Sequence, residues 1–195
     1  MSPRATPVAV RRPRMWLVAG AALAAAGAAL AQQGMEFIPD GGRTLALEIF
    51  GDDPERLAEL AARDLEAADW REMIAEEAGE DEELDETRIA TLASYLAINF
   101  PVEAAAELAE MEAEALPDAL PRDGKDLAVR HCQSCHGLFS GYLSHDRDAT
   151  GWTQTFSAPF HQEIPMSDIE IETFANYSEL NMPLSIEDVP PAWRF

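Results

Sequence analysis

The chain has 195 residues, with 14 Lys and Arg, 36 Asp and Glu, four His and two Cys, and a formal net charge of −22. A net anion of that size excludes general nucleic-acid binding, because phosphate affinity comes from Lys and Arg displacing counterions. Two cysteines are too few for a disulfide scaffold, and an apolar share of 47% is too high for a wholly disordered chain.

Residues 1–31 read as a secretory signal peptide. Arg4, Arg11, Arg12 and Arg14 make a basic start, residues 15–30 are apolar and uncharged, and Ala29-Leu30-Ala31 is a small-x-small cleavage pattern. A retained membrane anchor is the competing reading, and the apolar run is somewhat short for it. A twin-arginine signal at Arg11-Arg12 fits poorly, with Pro13 directly after. Cleavage before Gln32 leaves 164 residues with 10 Lys and Arg, 36 Asp and Glu and a net charge of −26. The expected location is periplasmic or otherwise exported, with no stable membrane span after cleavage. Such a charge keeps a protein soluble, repels anionic membranes and nucleic acids, and favours basic partners in a salt-dependent way. Tolerance of high salt is an equally good reason for it.

Helical spacing dominates the rest. Helices are expected over residues 42–50, 54–68 with Pro54 in the first turn, 70–78, and 85–98 with Ile89, Leu92, Tyr95 and Leu96 on one face. Asn99-Phe100-Pro101 stops the last of these. Residues 102–116 read as an Ala/Glu-rich helix and 117–123 as a linker. A helix over 124–136 follows, then a Gly/Ser-rich loop to Gly151, a short helix opened by Trp152, a loop at 159–165, and a helix capped by Ser167 that Asn181-Met182-Pro183 ends. Residues 76–86 hold eight acids in eleven positions, read as a solvated loop or as a docking surface for a basic partner.

The two halves align without a gap at an offset of 82. Residues 41–103 against 123–185 give 12 identities in 63, and these fall at helix starts (Gly42 and Gly124), an aromatic anchor (Trp70 and Trp152), Tyr95 and Tyr177, and the helix stop (Asn99, Pro101 and Asn181, Pro183). This placement predicts a tandem duplication.

Cys132-Gln133-Ser134-Cys135-His136 carries the chemistry. On a helix, residues three and four apart share a face, so both thiols and the imidazole are expected on one side. That suits covalent addition of two thiols along one edge of a porphyrin with His136 on the iron, the attachment pattern of haem c. A thioredoxin-like pair expects a βαβ setting absent here. Zinc expects four ligands, and a short-loop disulfide is a further alternative in an oxidising compartment.

On these residues the stretch 123–183 resembles class I cytochromes c. Gly124-Lys125 opens the first helix, the attachment motif ends it, and an aromatic-bearing last helix surrounds Tyr177. The resemblance implies that these two helices cross near Gly124–Ala128 and Tyr177. By the repeat, residues 41–103 resemble the same fold, but Phe50, Asp53 and Pro54 stand where Cys132, Cys135 and His136 would be. The expected architecture is therefore all-α. Residues 32–103 form a degenerate, haem-free cytochrome-like domain, 104–122 a helix and linker, and 123–195 the haem-binding domain. The family often has a proline after the motif whose carbonyl holds the proximal histidine. Residues 137–150 contain none, so the partner of His136 is left unassigned.

The sixth iron ligand is expected at Met182, with His161 as the alternative; each replaces a non-ligand of the first half, Phe100 and Gly79. His131 and His145 are expected at the surface and Met166 in the core. Tyr142, Phe156 and Phe160 are candidates for the haem wall, Trp152 for core packing, and Arg130 and Arg147 for propionate or surface pairs. The implied function is transfer of one electron at a time on one covalent haem c, between redox partners with basic docking surfaces. With no paired general acid and base, the chain is not expected to be a self-contained enzyme. Alternatives are the haem subunit of a larger periplasmic oxidoreductase, or a ligand-binding haem sensor.

Overall fold

A computed structural model describes residues 34–78, 84–133 and 135–194. The signal-peptide assignment, residues 79–83 of the acidic run at 76–86 and Ser134 of the motif lie outside the described residues. The chain divides into a unit of residues 1–36 and a compact unit of residues 37–195. The second unit is all-helical, with no strand among the described residues. No described helix is long and apolar enough to cross a membrane.

The first half contains α1 (Gly42–Phe50), α2 (Pro54–Ala61), α3 (Ala67–Ala78) and α4 (Glu86–Asn99). Local chemistry sets several of these boundaries. Asp53 caps α2 by accepting from the Arg56 N–H, with Pro54 in the first turn where its missing N–H costs nothing. Asp85 caps α4 in the same way through Arg88. The interior is largely aliphatic, built on Leu45, Leu57, Leu60, Ile74, Leu92 and Leu96. Trp70 and Tyr95 meet the edge of Phe100, at centroid distances of 6.1 and 6.2 Å.

The expected helix over 54–68 stops at Ala61, whose carbonyl accepts a 2.8 Å bond from Val102 N–H instead of continuing the ladder. The expected helix over 102–116 is a sharper departure. It breaks into α5 (Ala105–Leu108), a turn, a 3₁₀ turn at Ala113–Ala115 and α6 (Leu116–Ala119). Ala105, Leu108, Leu116 and Leu120 are all buried in the first-half core. The segment winds over that core, and residues 117–120 of the supposed linker are partly helical and anchored by Leu120.

The second half contains α7 (Gly124–His131), a π-turn at Phe139–Leu143, α8 (Ala149–Thr155) and α9 (Asp168–Asn181). Asp123 and Ser167 each close a capping box, at α7 and α9. The 82-residue offset holds in three dimensions. α4 and α9 are both 14 residues long and begin at matching positions. A side chain at Gly42 would collide with Tyr95, and one at Gly124 with Tyr177, so each half uses its glycine to let two helices touch. Val102 N–H donates to Ala61 O at 2.8 Å, and Leu184 N–H to Leu143 O at 2.7 Å.

Between the halves the contacts are reciprocal. Tyr95 donates to Pro121 O at 2.7 Å, and Tyr177 to Pro39 O at 2.6 Å. Asn99 bonds Thr173 Oγ1 and Asn181 bonds Thr91 Oγ1, both at 3.0 Å. Residue i meeting j while the repeat of j meets the repeat of i is the signature of an approximate two-fold relation. The halves are packed against one another as the two members of a pseudo-dimer.

Candidate functional site

Besides differing at their first caps (Gly41 against Asp123) and in the lengths of α3 and α8 (12 and 7 residues), the halves diverge at residues 132–143. In the first half the corresponding stretch is the Pro54-led helix α2. In the second, α7 ends at His131 and Cys132 is its C-cap, with its N–H on Ala128 O at 2.9 Å. The expected helix through residue 136 therefore does not form. Cys135 and His136 sit on the turns beyond the helix end, so the shared helical face expected for the motif is replaced by a turn. The chain then rewinds as a π-turn, with Ser144 N–H reaching back five residues to Phe139 O at 3.1 Å. π-Turns are rare and concentrate at functional sites.

Cys132 and Cys135 form no disulfide. Burial, and then the neighbouring Cys135, push the Cys132 thiol up to about 12. Cys135 and His136 are exposed. His136 Nδ1 lies 3.3 Å from Gly137 O. A carbonyl only accepts, so this contact selects the Nδ1–H tautomer and leaves Nε2 as the nitrogen with the lone pair.

Met182 is buried as the C-cap of α9, with its N–H on Ser178 O at 3.0 Å. It stands at the position of Phe100. His161 is half-buried in the loop after α8, and its Nδ1 lies 2.9 Å from Thr155 O, which leaves its Nε2 in the same state as that of His136.

The other candidates sort by packing. Tyr142 is fully buried; its hydroxyl meets Ser178 Oγ at 2.9 Å, and its ring packs on Trp152 and Phe174, each at 5.3 Å. Phe156 packs edge-on against Phe174. Phe160 does not line the interior: it is 92% exposed. Arg147 lies over the Trp152 ring and donates to Thr155 Oγ1 at 2.8 Å, while Arg130 is exposed. His145 is not a simple surface residue, with Nε2 3.1 Å from Ser140 O and its ring edge-on to Trp152. His131 is half-buried, and burial and Arg130 push its pKa down. Met166 is only half-buried, so it is not a core residue. The indole N–H groups of Trp70 and Trp152 are both buried without a hydrogen-bond partner. Because the two halves share this feature, it does not single out the motif half.

Two residues were missed from the sequence. Gly141 lies under the His136 ring, where a Cβ would overlap the imidazole and come within 2.8 Å of its Cγ. Asp123, 1% exposed, caps its own helix and also accepts from the Arg43 and Thr44 N–H groups at 3.1 and 3.3 Å, so it caps α1 of the other half as well. Only the offset alignment carried a trace of the first: His136 and Gly141 fall on Pro54 and Glu59.

Among the described residues no group of three or more His, Cys, Asp or Glu side chains converges as a metal site. The motif offers one imidazole and two thiols, a donor set suited to a group that brings most of its own metal ligands. No family model, curated protein or solved structure is significantly similar to the chain.

Proposed function

We propose that the chain is an exported c-type cytochrome that carries one electron at a time on a single covalently attached haem. The observation that carries this reading is the contrast between the halves. They share the glycine contacts of α1 and α7, the lengths of α4 and α9 and the reciprocal contacts, and among the places where they part are Cys132, Cys135, His136 and the π-turn behind them. A duplicated scaffold serves as an internal control, and what one copy alone possesses is the candidate for its chemistry.

The residues present fit the group. A bound haem supplies the one-electron chemistry, and the protein's share is attachment, orientation and exclusion of water. Cys132 and Cys135 would hold it covalently. His136 would supply the proximal nitrogen, with its tautomer fixed by Gly137 O. Met182 is proposed as the sixth ligand, with His161 as the alternative. The first half, with Phe50, Asp53 and Pro54 at the matching positions, would be a haem-free cytochrome-like domain whose filled aliphatic interior serves as a structural partner. Donor and acceptor are expected to be redox proteins with basic docking surfaces.

The test is mass spectrometry with an optical spectrum of the purified protein in both redox states. One covalent haem on a chain beginning near Gln32, lost in Cys132→Ala with Cys135→Ala, is the expected result. A purified protein with no covalent haem, or with two, overturns the reading.

A further inference from the structure

We propose that Gly141 is a positioning residue for His136: its bare Cα admits the imidazole against the π-turn and holds it in the Nδ1–H tautomer. The ring occupies the space a side chain would need, since any Cβ at Gly141 overlaps it. Backbone conformation does not explain the glycine. The left-handed φ found among the described glycines is at Gly34, and Gly141 has none, so an L-residue could adopt this winding.

One carbonyl ties the parts together. Gly137 O accepts from Gly141 N–H at 2.9 Å and from Ser140 Oγ at 3.4 Å, and it faces His136 Nδ1 at 3.3 Å. The turn's own backbone and the imidazole share this acceptor. Moving residue 141 outward would therefore shift both the ring's seat and the group that fixes its tautomer. The first half supplies the comparison. At the matching positions stand Pro54 and Glu59, on an ordinary α-helix. Histidine, glycine and π-turn occur together in one half and are absent together from the other.

The placement of the ring stands on these contacts alone; its use to present Nε2 to an iron rests on the function proposed above. Four forms of the full chain separate the two: the parent, Gly141→Ala, His136→Ala, and both substitutions together. With His136 present, Gly141→Ala is expected to displace the exposed imidazole and to lower Tm more than the same change does without the ring. Without the ring the same change is expected to cost nothing or to raise Tm, because Ala is favoured over Gly in helical turns. In the chain produced without haem, ¹⁵N spectra of His136 should show the Nδ1–H form in the parent and its loss in Gly141→Ala. If Gly141→Ala fails to fold, recovery of folding in the double variant supports the proposal. An equal Tm loss in both backgrounds, failure of the double variant to fold, or an unchanged tautomer overturns it. A chain that binds no haem yet shows the coupling would sink the function and leave this inference standing.

Discussion

Asn99 donates its side-chain amide to Thr173 Oγ1 across the two halves at 3.0 Å, and the same amide bonds Tyr95 O one turn back at 3.0 Å. Its repeat, Asn181, does both things in mirror fashion, to Thr91 and Tyr177. Asn99→Ala and Asn181→Ala should each cost about 1–3 kcal/mol, because each removes the amide partner of a buried threonine hydroxyl across the two halves. Urea denaturation is expected to show similar losses for the two variants. Strongly unequal losses would mean that the two-fold relation is geometric but not energetic.

Asp123 makes stability depend on pH. Burial first, and then the charge of Asp126, push its pKa up to about 6, against lowering by the Asp126 and Thr44 N–H groups and by Arg43. Arg43 also pairs with Asp126 at 2.6 Å, and the Tyr95 and Tyr177 rings lie close by, while Lys125 pairs with Asp40. The folded chain then binds this proton more tightly than the unfolded chain, where an aspartate titrates near 3.9. That contribution is full below about pH 4 and is lost as pH rises through about 6. Urea midpoints from pH 4 to 7, parent minus Asp123→Asn, should fall across this window. A flat difference would show that the carboxylate is already ionised at pH 4.

Met182 and His161 are distinguished by paired substitutions. With the haem bound as proposed, Met182→Ala should change the absorption spectrum and lower the reduction potential, while His161→Ala leaves both as in the parent. Stability alone does not discriminate, since deleting a buried methionine costs about 2–5 kcal/mol whatever else it does. The reverse spectral pattern would assign the ligand to His161.

Charge is divided unevenly. Residues 32–122 hold 25 acids and six bases, and residues 123–195 hold 11 acids and four bases. On the proposed function, electron transfer to a basic partner should slow as salt rises, since steering is screened beyond about 8–10 Å at moderate ionic strength. Reversing charge on the first half, for example at Glu107 and Glu110, is expected to reduce the low-salt rate more than the same change at Glu172 and Glu179. A rate indifferent to salt would point to an apolar docking face.

What the sequence made legible is local. Gly42–Phe50, Ser167 as a cap, the stop at Asn99 and Asn181 and the offset of 82 each depend on residues close together in the chain or on their repetition. The break-up of residues 102–116 was hidden because Ala and Glu favour helix wherever they stand; tertiary burial of Ala105, Leu108, Leu116 and Leu120 overrides that preference. The end of α7 at His131 was hidden for a similar reason. A helix carried through His136 satisfies the spacing of the motif, but that spacing carries no sign of the π-turn or of the contact between Gly141 and the ring. Asp123 reads as an ordinary cap for its own helix, and nothing near it in the chain announces the second helix it serves.

That second helix has a consequence for how such a molecule can arise. A group close to a two-fold axis meets its own image, and two buried carboxylates there would repel one another. The repeat of Asp123 is Gly41, and a Cβ at that position would overlap the Asp123 carboxylate. One anion serves two helix starts because its counterpart in the repeat is a glycine, with only a hydrogen in that space. Two identical chains cannot make that choice, since whatever one carries the other carries too. Fusion of the halves into one polypeptide is what lets the centre of the interface be occupied once.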